Sequence, residues 1–255
     1  MKTSRTLFWH RRDLRLTDNT GLTAAVALGP AVTGGYVLDP ALITPPPELP
    51  PMAPARLWFL VETLTELQQR WRDAGSRLLV LAGDPVLLLP RLAALLDAPS
   101  VVWSRDVEPY ARERDRQVAR ALQADGRKLL VDWDQVLVAP ELLKTGGGDP
   151  YRVYGPFLRN WRGQVERLAP STREAPQGLE DLAEPLRFRI NAEEDDLGRL
   201  CAEGQRELER LRTDHGFAGA DLCPCRPGET AAADQLALFA DGPLLGYEPD
   251  RNFPG

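Results

Sequence analysis

The stretch Leu7-Phe8-Trp9-His10-Arg11-Arg12-Asp13-Leu14-Arg15-Leu16-Thr17-Asp18-Asn19 decides the fold. Residues 6–10 form a short apolar, β-prone run that breaks into charge at His10-Arg11-Arg12-Asp13, and Asp18-Asn19 then offers a side-chain cap for a following helix. A strand, a charged turn and a capped helix make the opening unit of a βαβ crossover. The unit repeats outward. Further β-prone runs cover residues 31–38, 77–82, 100–104 and 127–133. Between them, residues 53–74 place Leu57, Leu60, Leu64, Leu67 and Trp71 three or four apart, and residues 85–96 continue the helical period. Residues 109–124 predict a fourth helix, charged outside, with Val118, Ala121 and Leu122 facing in. Strands alternating with helices imply right-handed crossovers and a parallel sheet covered on both faces. The expected fold is α/β, a doubly wound, five-stranded, Rossmann-like parallel sheet over about the first 135 residues.

Composition agrees with a globular chain and excludes several kinds of chemistry. Of 255 residues, 43% are hydrophobic and 27% charged, and 31 Lys and Arg against 37 Asp and Glu leave a formal charge of −6. An electrostatic nucleic-acid footprint normally shows as a basic domain, so this chain is not expected to clamp DNA. Three cysteines, Cys201, Cys223 and Cys225, are odd in number and crowded late, which fits a reducing compartment better than a disulfide scaffold. The apolar run at the start is too short for a signal-peptide core, and the most apolar stretch, 78–96, is interrupted by charges and prolines. A soluble, cytoplasmic monomer without membrane contact is expected. With only His10 and His215, a histidine-rich metal centre is impossible, and no nucleophile elbow, P-loop or dinucleotide glycine fingerprint is present.

In an open parallel sheet, ligands bind beyond the carboxyl ends of the strands, where the strand order reverses. Applied here, that rule picks His10 to Asp13 after the first strand, Asp39 after the second, Gly83 and Asp84 after the third, Arg105, Asp106 and Glu108 after the fourth, and Asp134 after the fifth. Arg56, near the start of the next helix, joins the same edge. Carboxylates that accept from ring N–H groups, beside guanidiniums that meet carbonyls or anions, suit a flat polar heterocycle better than a bare phosphate. Strand-end loops are polar in any such fold, so the same charges also fit a merely solvated rim.

Several stretches carry a resemblance. The opening motif resembles the first strand and turn of the DNA photolyase and cryptochrome family. So do Tyr36-Val37-Leu38-Asp39-Pro40, Pro54-Ala55-Arg56 and Trp103-Ser104-Arg105-Asp106-Val107-Glu108-Pro109-Tyr110. Pro150-Tyr151-Arg152-Val153-Tyr154-Gly155-Pro156-Phe157 and Pro227-Gly228-Glu229-Thr230-Ala231-Ala232 follow in the family's order. The resemblance implies an amino-terminal α/β domain holding a light-harvesting antenna, then an all-helical domain holding FAD, whose reduced form donates an electron to split cyclobutane pyrimidine dimers in DNA. The match looks closest to microbial class I enzymes with an 8-hydroxy-5-deazaflavin antenna. In those, the antenna pocket uses positions matching Asp39, Arg56, Asp106 and Glu108 here, the residues already picked by the strand-end rule. FMN and methenyltetrahydrofolate are the alternative antennas, since the same cleft holds different chromophores across the family, and a cryptochrome photoreceptor or a stand-alone chromophore-binding protein are the alternative functions.

The resemblance also sets an expected layout: residues 1–168 as the antenna domain, 169–226 as an interdomain linker with a helix at 192–213, and 227–255 as the first segment of a helical FAD domain. A second connecting stretch is expected at 215–227. Tyr247 is similar to the tyrosine that lies against the FAD phosphates in the family. The sequence ends at Gly255, before the family's next FAD segment, so this chain is expected neither to hold FAD stably nor to repair DNA, and UV-damaged DNA would be met only through the absent helical part. No catalytic residue and no metal are expected. Cys201, His215, Cys223 and Cys225 are too irregularly spaced for a zinc site. Trp9, Trp71, Trp103 and Trp133 read as core, and His10 as a packing or hydrogen-bonding residue. Arg11, Arg12 and Arg15 either meet an antenna's anionic tail or cover the sheet end.

Overall fold

A computed structural model describes residues 5–48, 50–181 and 196–250, with the side chains of 215–219 and 247–250 outside the description. In chain order the elements of the first half are β1 (Thr6–Trp9), α1 (Thr20–Ala27), β2 (Val32–Leu38), α2 (Pro40–Ile43), α3 (Pro54–Asp73), β3 (Leu78–Ala82), α4 (Pro85–Leu95), β4 (Ser100–Ser104), α5 (Pro109–Ala124) and β5 (Lys128–Asp132). They are followed by α6 (Tyr154–Leu168), α7 (Asp196–Leu222), α8 (Glu229–Ala240) and α9 (Pro243–Asp250). All strands pair in parallel, in the order β3-β2-β1-β4-β5. This is the five-stranded parallel α/β sheet that the alternating pattern predicts. Asn19 caps α1 by accepting from the Leu22 amide at 2.9 Å, and Asp84 caps α4 by accepting from the Val86 amide at 2.8 Å.

Two cores cover the sheet. On one face α4 and α5 bury Leu89, Leu92, Val118 and Leu122 against Leu7, Trp9 and Trp103. On the other, α1 and α3 bury Leu22, Val61, Leu64 and Trp71 against Phe8, Val80 and Val102. Of the expected inward row on α3, Leu57, Leu64, Leu67 and Trp71 are buried, whereas Leu60 is half-buried and Val61 takes its place in the core. Ala121 of α5 is likewise only half-buried.

The helix expected at 192–213 begins outside the described residues, which resume at Asp196. α7 runs on to Leu222, through much of the stretch expected as a second connector. It also does more than connect. Leu197 and Leu200 enter the α4/α5 core, Leu208 and Leu211 enter the α1/α3 core, and the helix crosses edge strand β3 between them. Gly204 sits at the crossing, where an added Cβ would lie 2.0 Å from the Val80 carbonyl oxygen. α8 is tied down at its start: Glu66 of α3 accepts from the Thr230 amide at 2.9 Å, and Glu229 accepts from the amides of Leu16 and Thr17. Beyond this anchor its apolar residues face outward, with Leu236 and Leu238 exposed and Phe239 half-buried. Among the described residues no helix is long and apolar enough to cross a membrane.

Candidate functional site

The chain runs outward from β1 through β2 to β3, then returns to the other side of β1 for β4 and β5. The reversal opens a crevice between the ends of β1 and β4, the place where such sheets bind ligands. A cleft of about 650 Å³ lies there.

Its floor is pinned by a buried polar network after β1. The Trp71 indole donates to His10 Nε2 at 3.0 Å, and His10 Nδ1 lies 2.9 Å from the Asp13 carbonyl oxygen. An indole N–H can only donate, so Nε2 is the acceptor and Nδ1 carries the proton; both bonds are satisfied by a neutral ring. Complete burial pushes the His10 pKa down in the same direction, outweighing the nearby Asp13 carboxylate. His10 is therefore a structural residue. Asp13 in turn accepts from the Arg11 amide at 2.9 Å and the Ser104 hydroxyl at 2.8 Å, joining the β1 turn to the end of β4.

The cleft walls bring charges together from separate strand ends. Asp39 uses one oxygen to cap α2, accepting from the Ala41 amide at 3.0 Å, and the other to accept from the Tyr110 hydroxyl at 2.6 Å. Asp106 is buried and accepts from the Glu108 amide at 3.1 Å, with Arg12 Nη1 3.7 Å away. Glu108 is exposed at the rim and pairs with Arg12 at 2.7 Å. Arg56 lines the cleft from the first turn of α3, and its side chain has no hydrogen bond or ion pair among the described residues. The four positions picked from the sequence, Asp39, Arg56, Asp106 and Glu108, thus line one cleft. Other strand-end candidates go elsewhere. Asp84 caps α4, Arg105 pairs with Glu141 at 3.0 Å, and Arg15 pairs with Asp134 at 2.8 Å. Arg15 covers the sheet end, while Arg11 and Arg12 face the cleft.

Three contributors were not read from the sequence. Arg114, on the helix expected to carry its charge outside, is 8% exposed and points its guanidinium to Asp115 at 3.0 Å and toward Asp39 at 3.8 Å. The guanidiniums of Arg11 and Arg114 lie 4.8 and 5.0 Å from the Trp9 ring centroid, and Arg11 also pairs with Asp115. Tyr110 and Tyr36 complete the wall, and burial above all pushes both phenols up, so both stay protonated. Tyr110 and Arg114 are four residues apart on one helix, a spacing that places them on one face. That was the available signal.

Tyr247 lies in α9, and its side chain is outside the described residues. Trp133 corrects an expectation: it is half-buried, donates its indole N–H to Glu141 at 2.9 Å and lines a second, larger cavity instead of the core. Among the described residues no cluster of three or more His, Cys, Asp or Glu is arranged to hold a metal ion.

The family model described as DNA photolyase matches residues 6–180. The chain belongs to the DNA photolyase family. A deoxyribodipyrimidine photo-lyase from a Synechococcus strain is 44% identical over 248 residues, covering 97% of this chain and 48% of the relative. An uncharacterized 31.6 kDa protein from another Synechococcus strain is 39% identical over 252 residues and is covered to 79% of its length. The crystal structure of a bacterial class III photolyase from Agrobacterium tumefaciens matches with a TM-score of 0.74 at 32% identity, covering all of this chain and 48% of that one. The chain thus spans about half the length of the named photolyases it matches. These matches establish the photolyase family. With a class III enzyme among them, they do not single out the class I deazaflavin branch.

Proposed function

We propose that this chain is the light-harvesting region of a deoxyribodipyrimidine photolyase, binding a planar antenna chromophore of the 8-hydroxy-5-deazaflavin type in the β1/β4 cleft. One observation carries the reading: residues from three separate strand ends and the start of α3 line one crevice at the strand-order reversal, and Arg56 is the cation there without a counter-charge among the described residues. The residues fit such a group. A volume of about 650 Å³ lies within the ~300–1,000 Å³ usual for ligand pockets. Arg11 Nε is buried on the same wall without an acceptor among the described residues, and Asp106 keeps lone pairs beyond its bond to the Glu108 amide. Arg56 would meet a carbonyl or anionic oxygen, Asp106 a ring N–H, and Tyr36 and Tyr110 the ring itself. Asp39, with both oxygens already engaged, would hold Tyr110 and α2 in place.

When bound, such a chromophore supplies absorption of near-ultraviolet and blue light and passes on the excitation. Within the whole protein, FAD-dependent repair of pyrimidine dimers would follow, with DNA and FAD met by the half of the relatives that lies outside this match. A photolyase is favoured over a cryptochrome by the match to a named photolyase along nearly all of the chain. The proposed setting is a cytoplasmic monomer.

The test is the absorption spectrum of the purified chain after separate addition of 8-hydroxy-5-deazaflavin, FMN and methenyltetrahydrofolate. A shifted band and saturable binding are expected with the deazaflavin, weakened about tenfold or more by Arg56→Ala and by Asp106→Ala, since each charge-assisted hydrogen bond is worth about 1.5–3 kcal/mol. Binding unchanged in both variants means the cleft is not the site, and saturable binding of FMN or the folate that Arg56→Ala weakens, without binding of the deazaflavin, reassigns the chromophore.

A further inference from the structure

A second and larger cavity, about 1260 Å³, lies on the far side of β4, bounded by β5, α5 and the apolar face of α6. Its lining is unlike a gap in a core. Trp133, Trp161 and Phe157 supply flat aromatic surface, all only half-buried, and no residue of α6 is fully buried. Trp103 adds an independent feature. It is 1% exposed, and its indole N–H, which can only donate, has no acceptor among the described residues.

The charges on this wall do not cancel. Each carboxylate there is engaged: Glu141 by Arg105 at 3.0 Å and the Trp133 indole at 2.9 Å, Asp115 by Arg11 and Arg114, Asp106 by the Glu108 amide. Arg105 also stacks 5.6 Å from the Trp133 centroid, which fixes that ring. Arg112 and Lys144, both exposed, have no side-chain hydrogen bond or ion pair among the described residues. The remaining charge is therefore positive, beside aromatic rings and an unsatisfied donor.

We propose that this cavity is a second binding site, for a planar heteroaromatic anion of nucleotide size or larger, its ring against Trp133 and Trp161 and its anionic group met by Arg112 and Lys144. Stacking on aromatic side chains is worth ~1–3 kcal/mol per ring, and Arg112 and Lys144 would add selectivity for charge. The site is distinct from the antenna cleft: Asp106 lies on both walls, but Arg56 lies on the cleft alone.

Isothermal titration of the full chain with AMP and FMN, and with adenosine and inorganic phosphate as controls, tests it. One AMP or FMN per chain is expected, with adenosine and phosphate each at least tenfold weaker. The double variant Arg112→Ala/Lys144→Ala should weaken the anion tenfold or more without lowering the melting temperature, while Arg56→Ala leaves it unchanged. The proposal is overturned if neither AMP nor FMN binds at millimolar concentration, if adenosine binds as well as AMP, or if Arg56→Ala weakens binding while the double variant does not. If the cavity instead seats another polypeptide, neither small anion will bind, which also overturns it.

Discussion

The two edges of the sheet are treated in opposite ways. Strand edges expose unpaired backbone groups and must be covered, charged or bent away. At β3, residues Leu78 to Leu81 are all buried, because α7 lies over the strand and sends leucines into the cores on both faces. At β5, Lys128, Leu130 and Asp132 are exposed, and the strand gives its Val131 and the following Trp133 to the wall of an open cavity. One edge is sealed by packing; the other is protected by charge and left available. In this chain the sealed edge holds the structure together, and the open edge is where an additional ligand is proposed.

The largest test of that contrast is Gly204→Ala. In an exposed helix this change should stabilise, since alanine is about 1 kcal/mol better than glycine in a helix interior. Here the new methyl would meet the backbone of Val80 and Leu81, which has no side-chain freedom with which to yield. α7 would have to lift off β3 and loosen Leu197, Leu200, Leu208 and Leu211 together, so a loss of about 4 kcal/mol or more is expected in chemical denaturation. A neutral or stabilising result would mean that α7 does not seal this edge.

Matched leucine truncations come next. Leu208 is 1% exposed and Leu130 39% exposed, so Leu208→Ala should cost about 3 kcal/mol and Leu130→Ala less than about 1. Equal losses would remove the distinction between the edges.

Much of this arrangement was legible beforehand, for reasons that explain what was not. The five strands stand out because each apolar run ends abruptly in charge, and the cleft carboxylates because a parallel sheet restricts where ligands sit. Arg114 was hidden because a buried arginine in a charged helix looks like its exposed neighbours; its burial depends on Asp39 and Asp115, which only the fold brings near. Trp133 was hidden for the converse reason, since an indole suits a core or a cavity wall equally well. The length of α7 was missed because Gly216 and Gly219 read as breakers. Their cost of about 1 kcal/mol each is tolerated in a helix anchored by buried Leu208 and Leu211.

Two different reasons for a glycine separate Gly126 from Gly204. Gly126 leads into β5 at the open edge with φ of 74°, and an added Cβ there would meet no atom of the described residues within 4 Å. Gly204 has the ordinary helical backbone but no room; Gly126 has room but a left-handed backbone. Gly126→Ala should therefore cost about 1 kcal/mol, the left-handed strain partly offset by the smaller entropy of the unfolded chain. Gly126→Asn should cost less, because asparagine tolerates this conformation. If alanine and asparagine behave alike at Gly126, or if Gly126→Ala costs as much as Gly204→Ala, packing rather than backbone geometry would govern the β5 edge, and the two edges would no longer differ in kind.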